Sequence, residues 1–139
     1  MAPHILVADD DPVIVRLLQV NFKLEGYDVD TAAHGEEAIQ KARDRKPGLI
    51  LLDVMMPGLD GWEVCRRLKE NEETAGIPVI FLSARAQEED RKRGLERGVV
   101  EYVTKPFNPG DLVGLVARIL AGRPPRAENG STPEPTAQA

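Results

Sequence analysis

The stretch Gly48–Trp62, GLILLDVMMPGLDGW, decides the fold class because an apolar strand in it ends in a charge. The run Leu49–Leu52 has no polar position, which is typical of a strand that is covered on both faces of a parallel sheet. The carboxylate of Asp53 follows at once, and a loop rich in turn residues comes next. A buried ionised carboxylate is costly unless another group pairs with it. Asp53 therefore either reaches the surface at the end of the strand or has a function there.

Four further short apolar runs, bounded by turn residues, predict additional strands. The five predicted strands are His4–Ala8, Tyr27–Ala32, Leu49–Leu52, Pro78–Leu82 and Val99–Val103. Helical spacing of apolar residues predicts a helix between each strand and the next, and one after the last. The first opens with Asp11-Pro12 and stops at Gly26, and the others are Glu36–Arg45, Asp60–Glu70, Gln87–Arg97 and Asp111–Leu120. This alternation predicts an α/β fold, a doubly wound parallel sheet with helices on both faces.

Length and composition exclude several classes of protein. A chain of 139 residues is expected to form one domain, and its net charge of −5 argues against direct nucleic-acid binding, which needs a basic surface. The single cysteine, Cys65, cannot form an internal disulfide, which favours a reducing compartment and predicts a cytoplasmic protein. No apolar run approaches the ~20 residues of a membrane span, so we expect no membrane insertion. Three early acids in MAPHILVADDD argue against a signal peptide.

The last segment of the chain differs in composition from the rest. RPPRAENGSTPEPTAQA, which follows Gly122, contains no large aliphatic or aromatic residue. We therefore predict a folded domain over residues 1–122 and a disordered C-terminal tail or linker stub over residues 123–139. Both a stand-alone protein and a fragment cut before an output domain fit this pattern, and we expect the stand-alone form.

Polar side chains follow the predicted strands at the points where ligands bind in open α/β sheets. Asp9 and Asp10 follow the first strand, Asp53 the third, Ser83 the fourth and Lys105 the fifth. If strands one and three are neighbours, the three acids converge and repel one another. A hard divalent cation relieves that repulsion, and Mg²⁺ prefers oxygen ligands. The sequence therefore predicts a magnesium site at this edge of the sheet.

The same edge suits a phosphoryl group. A cation, the ammonium of Lys105 and the hydroxyl of Ser83 would surround a carboxylate and match three strong acceptor oxygens. Carboxylates can form aspartyl-phosphates, so Asp53 is the candidate nucleophile.

Four motifs together, VADDD, LLDVMMPGLDGW, FLSA and YVTKPF, resemble the receiver domain of two-component response regulators. The resemblance covers roughly residues 4–121. It implies a flavodoxin-like fold with five helices and strand order 2-1-3-4-5. By matching positions, Asp53 would be the phosphoacceptor. The magnesium ligands would be Asp10 directly, Asp9 mostly through water, Asp53, and the backbone carbonyl of Met55.

The resemblance also assigns the switch residues. Ser83 would be the switch hydroxyl, in place of the more frequent threonine, and Lys105 the lysine that contacts the phosphoryl group. Tyr102 would be the aromatic ring that changes rotamer when the hydroxyl moves. The peptide bond between Lys105 and Pro106 resembles the cis peptide of the family.

The implied function is a phosphorylation-activated signalling switch. A sensor histidine kinase or a phosphotransfer protein would donate a phosphoryl group to Asp53. The face formed by the fourth helix, fifth strand and fifth helix would then change to control a downstream protein target or output domain, or to form a homodimer. The protein would catalyse only its own phosphorylation and dephosphorylation, and would not be an enzyme otherwise.

Two alternatives remain open from the sequence. A pseudo-receiver would be an interaction module that is never phosphorylated, which the intact acids, hydroxyl and lysine argue against. A phosphatase of the haloacid dehalogenase type also uses an aspartate after an apolar strand. That class needs a second acid two positions later, where this chain has Met55.

Overall fold

The computed structural model describes residues 3–84 and 88–122, in which five strands alternate with five helices. No described helix has the length and apolar character needed to cross a membrane. The elements in chain order are β1 (His4–Ala8), α1 (Pro12–Leu24), β2 (Asp28–Ala32), α2 (Gly35–Arg45), β3 (Leu49–Asp53), α3 (Gly61–Glu70), β4 (Val79–Ser83), α4 (Glu88–Glu96), β5 (Glu101–Thr104) and α5 (Pro109–Leu120).

The strands form one parallel sheet in the order β2-β1-β3-β4-β5, as the resemblance implied. Side chains of successive strand residues point to opposite faces of the sheet, so each apolar strand contributes side chains to two hydrophobic cores, one on each face. Leu49 and Leu51 pack with α1 and α5, whereas Ile50 and Leu52 pack on the other face with α2 and α3. The flavodoxin-like α/β fold is therefore confirmed, and all strands end at the same edge of the sheet.

Strand β5 differs from its prediction, Val99–Val103, because it begins at Glu101. The N–H of Val99 donates to the carbonyl of Gly94, 3.2 Å away, and closes the end of α4. Val99 is nevertheless buried, since it packs in the core from the loop. The run Val99–Val103, which was predicted as one strand, therefore covers both the loop that closes α4 and the start of β5. Strands β3 and β4 each extend one residue further than predicted, to Asp53 and Ser83.

Helix α5 also begins earlier than predicted, at Pro109 rather than Asp111. The side chain of Asn108 accepts a hydrogen bond from the N–H of Asp111 at 3.1 Å and caps the first turn. Asp11 caps α1 in the same way, with 2.9 Å from its Oδ1 to the N–H of Val13. The predicted tail, 123–139, lies outside the described residues.

Candidate functional site

Three acids meet where β1 and β3 end. Ala8 pairs with Leu52 in the sheet, so the next residues of the two strands, Asp9 and Asp53, lie side by side. Asp9, Asp10 and Asp53 each offer a carboxylate oxygen, and these oxygens lie within 4.8 Å of one another. Asp9 and Asp53 are buried, whereas Asp10 is exposed. The cluster is therefore an oxygen-rich site with one side open to solvent.

Lys105 supplies the positive charge at this edge. Its Nζ lies 2.8 Å from Oδ2 of Asp9 and 3.6 Å from Oδ1 of Asp53. The backbone N–H of Lys105 donates to the carbonyl of Ser83 at 2.7 Å, which ties Lys105 to the end of β4. Its peptide bond with Pro106 is cis. The structure thus brings the predicted lysine to the predicted acids, closer to Asp9 than to Asp53.

The charges of the cluster are unbalanced. Burial and the nearby negative charge of Asp9 raise the pKa of Asp53 to about 6, although the N–H of Met55 and the charge of Lys105 act in the opposite direction. Burial lowers the pKa of Lys105, but its hydrogen bond and charge pairing with Asp9 and its interaction with Asp53 outweigh this, so the pKa is raised. One lysine therefore does not neutralise the three acids, and the ionised form of Asp53 is disfavoured.

The loop after β3 folds back over the carboxylate of Asp53. The N–H of Met55 donates to Oδ1 of Asp53 at 3.2 Å, and the side chain of Met55 is exposed. The N–H of Gly61, at the start of α3, donates to the carbonyl of Val54 at 2.8 Å. A Cβ atom on Gly61 would lie 2.7 Å from both the carbonyl oxygen of Asp53 and the Cα of Val54. The first turn of α3 therefore rests directly on the backbone of Asp53.

Sequence reasoning missed the role of Gly61. An Asp-Gly pair after an apolar strand indicates a turn and a helix start, but the local sequence does not indicate which backbone atoms the glycine approaches. Only the packing of α3 against the end of β3 reveals the contact.

The two predicted switch residues lie on β4 and β5. Ser83 is buried at the end of β4 and pairs with Thr104 of β5. Tyr102 is also buried, with its ring edge-on to Phe81 at 6.1 Å between centroids. Its hydroxyl is buried without a hydrogen-bond partner among the described residues. The ring lies inside the domain, where Gly94 of α4 packs closely against it: a Cβ atom on Gly94 would be 3.2 Å from Cδ2 of Tyr102.

The chain belongs to the response regulator receiver domain family, whose model matches residues 5–117. Receiver domains are phosphorylation-dependent signalling switches of two-component systems and not classical enzymes. The family assignment favours the receiver over the haloacid dehalogenase alternative.

Relatives and solved structures agree with the family assignment. The chain is 48% identical over 120 residues to the alkaline phosphatase synthesis transcriptional regulatory protein PhoP of Bacillus subtilis, covering 86% of this chain and 49% of PhoP. The receiver domain of the Francisella response regulator 1452 has a TM-score of 0.82 at 34% identity, with 86% of this chain and 98% of that chain covered.

The BeF3-activated receiver domain of DrrB, a Thermotoga maritima protein, has a TM-score of 0.79 at 34% identity, with 87% and 99% covered. The chain spans about half the length of the curated relatives it matches.

Proposed function

We propose that the chain is switched by transfer of a phosphoryl group to Asp53 from a phosphohistidine of a sensor kinase or phosphotransfer protein. The observation that carries the proposal is the convergence of three acids and Lys105 at the ends of β1, β3 and β5. An acceptor site for a phosphoryl group needs a nucleophile beside groups that neutralise its charge. Asp53 would be that nucleophile, and Lys105 would contact the transferred group.

The electrostatics of Asp53 suit a nucleophile. A pKa of about 6 leaves the carboxylate mostly ionised at neutral pH and more basic than an ordinary aspartate. One carboxylate oxygen would attack phosphorus, and the nitrogen of the donor imidazole would leave with the electron pair of the broken bond. The N–H of Met55 holds Oδ1 of Asp53, which leaves the other oxygen for the attack.

The donor set of the acidic cluster fits Mg²⁺. Mg²⁺ prefers carboxylate oxygens and retains several waters, and the exposed side of Asp10 leaves room for them. Asp9, Asp10, Asp53 and the backbone carbonyl of Met55 would hold the ion. When bound, it would neutralise the acids and the oxygens of the phosphoryl group.

The response would pass from Asp53 to the edge strand of the sheet. Ser83 and Lys105 would move towards the new phosphoryl oxygens, and the buried position of Tyr102 would be favoured further. A shift from 1:99 to 99:1 needs about 5.5 kcal/mol of differential stabilisation. Two or three charge-assisted hydrogen bonds, at about 1.5–3 kcal/mol each, can supply it.

The face formed by α4, β5 and α5 would present the result to a partner. A downstream protein, an output domain or a second copy of the chain could bind there. We assign the receiver domain to residues 1–122 and the tail or linker to residues 123–139. PhoP is a transcriptional regulatory protein by name, which supports an output domain in the whole protein.

Acetyl phosphate with Mg²⁺ tests the proposal on the purified chain. We expect the parent protein to gain one phosphoryl group by intact mass and the Asp53→Asn variant to gain none. Glu72→Gln, a substitution of an exposed acid, is the matched control and should behave as the parent.

A phosphotransfer protein charged with phosphohistidine should give the same pattern. Failure of both donors on the parent would favour the pseudo-receiver. Uptake by Asp53→Asn would instead place the acceptor elsewhere.

Substitutions of the adjacent acids Asp10 and Asp11 distinguish a role in metal binding from a role in helix capping. Asp10→Asn should weaken Mg²⁺ binding by about tenfold or more, because it removes a full charge beside a divalent cation. Asp11→Asn is the control, since asparagine also caps helices well and Asp11 is not in the cluster. Titration calorimetry with Mg²⁺ measures both. Equal effects of the two substitutions would remove Asp10 from the ligand set.

A further inference from the structure

Helix α4 has few apolar anchors on the rest of the domain. Among its residues, Glu88–Glu96, only Asp90 and Gly94 are buried, and Leu95 is 43% exposed. An amphipathic surface helix is usually held by a stripe of large apolar side chains. The position of α4 on the domain therefore depends on polar and stacking contacts.

One of those contacts joins α4 to α3. The guanidinium of Arg93 lies 4.3 Å from the centroid of the Trp62 ring, within the range of a cation–π interaction. Trp62 is mostly buried and is the only tryptophan of the chain. Arg97 lies further from the same ring, at 5.7 Å.

The ring of Trp62 also reaches the predicted switch residue. Trp62 packs edge-on against Phe81 with 4.9 Å between centroids, and Phe81 packs edge-on against Tyr102. Gly94, the residue after Arg93, lies directly over this pair. A Cβ atom on it would be 3.2 Å from Cδ2 of Tyr102 and 3.3 Å from Cδ2 of Phe81. Arg91 ties α4 to β5 directly, through the carbonyl of Tyr102 at 3.1 Å and the carboxylate of Glu101 at 2.7 Å, whereas Arg93 is the contact that joins α4 to α3.

The other end of the connection is the acceptor. Gly61 precedes Trp62 and rests on the backbone of Asp53. A change in the loop after β3 would therefore act directly on the first turn of α3, which carries Trp62.

We infer that Trp62 and Arg93 form a latch that transmits the state of Asp53 from the start of α3 to α4, alongside the path through Ser83 and Tyr102. This inference rests on the proposed phosphorylation of Asp53. Trp62 and Arg93 are positioning residues, since neither touches the acidic cluster. In the unmodified protein the contact between Trp62 and Arg93 keeps Gly94 over Tyr102, and phosphorylation of Asp53 changes the strength of this contact.

A double-mutant cycle tests whether the contact carries energy in the unmodified protein. The variants are Arg93→Gln, Trp62→Leu and the pair, measured by urea unfolding, since leucine removes the aromatic face that phenylalanine would keep. We expect a coupling of roughly two- to fivefold in the equilibrium constant for unfolding, the range of an exposed cation–π pair. Lys92→Gln, which removes a charge from the neighbouring exposed position, should show no coupling with Trp62→Leu. Absence of coupling for Arg93 would overturn the latch.

Amide hydrogen exchange of α4, with and without beryllofluoride and Mg²⁺, tests the link to Asp53. In the parent, we expect the non-covalent phosphoryl mimic to change the exchange of α4. In Arg93→Gln, the exchange should be faster before the mimic is added, and the response should fall by at least half. Lys92→Gln should match the parent, and Arg93→Lys, which keeps the charge but not the planar group, should lie between.

The two proposals fail in different ways. An α4 response that is equal in Arg93→Gln and Lys92→Gln overturns the latch, while fluorine NMR of bound beryllofluoride and phosphoryl uptake by the parent keep the proposed function. Loss of both mimic binding and phosphoryl uptake in the parent overturns the proposed function and, with it, the signalling role of the latch. The double-mutant cycle then still decides whether the contact stabilises the fold.

Discussion

Asp53→Asn is expected to stabilise the metal-free protein at neutral pH by up to about 3 kcal/mol. The pKa of Asp53 rises from its ordinary value of 3.8 to about 6, mainly because the carboxylate is buried and faces Asp9. Each pKa unit corresponds to about 1.4 kcal/mol between the protonated and ionised forms. Asparagine keeps an oxygen for the N–H of Met55 and removes the charge, so the site loses its main electrostatic cost.

The pH dependence of stability gives this prediction its sign. Between about pH 4 and pH 6 the folded protein holds a proton on Asp53 that the unfolded chain has released. The free energy of unfolding contributed by Asp53 therefore falls as pH rises through this window, and the cost is complete above it. Urea unfolding in EDTA across this pH range should show that the difference in the free energy of unfolding between Asp53→Asn and the parent increases with pH.

The control for Asp53→Asn is Glu72→Gln, which removes an exposed acid. The free energy of unfolding of Glu72→Gln should stay close to that of the parent at every pH. Addition of Mg²⁺ should stabilise the parent more than Asp53→Asn, which narrows the difference in the free energy of unfolding. A variant less stable than the parent in EDTA at neutral pH would contradict the view that Asp53 is kept for function at a cost in stability.

Gly61→Ala is expected to destabilise the protein by about 2–3 kcal/mol and to slow phosphoryl uptake. The new Cβ atom would lie 2.7 Å from two backbone atoms at Asp53 and Val54, and backbone cannot yield as a flexible side chain does. Overpacking at such a site costs roughly 1–3 kcal/mol. Displacement of an acceptor by about 1 Å can cost up to a hundredfold in rate. Urea unfolding and the initial rate of uptake from acetyl phosphate measure the two effects.

Gly114→Ala is the matched control. Gly114 lies within α5, and a Cβ atom there would meet no atom within 4 Å. Alanine in a helix interior is more favourable than glycine by about 0.5–1 kcal/mol, so this variant should be slightly more stable and keep its rate. If the two substitutions had the same effect, the contact of Gly61 with the backbone of Asp53 and Val54 would not account for it.

The α/β fold was predictable because its signals are local. Leu49–Leu52 has a strand's length and no polar position, and Asp11-Pro12 is a local signal for the start of a helix. Boundaries were less predictable where two elements share one apolar run. Val99 belongs to that run but packs from a loop, since its N–H closes α4.

The acids and the lysine were predictable for a related reason. In a parallel sheet every strand ends at the same edge, so residues that follow strands are brought together by topology. Asp9, Asp53 and Lys105 therefore meet although 96 positions separate the first from the last. What the sequence could not give is the pairing of Lys105, which bonds Asp9 more closely than Asp53, because that choice depends on where the backbone of β5 places the side chain.

The sequence by itself determined the alternation of strands and helices, the covered sheet and the identity of the groups at its edge, because periodicity and strand ends are properties of short segments. Only the tertiary structure decided the contacts between segments that have no common local pattern. These contacts are the close packing of Gly61 on the backbone of Asp53, the burial of Tyr102 beneath Gly94, and the stacking of Arg93 on Trp62. Each depends on how closely two elements approach, which packing of the whole domain sets.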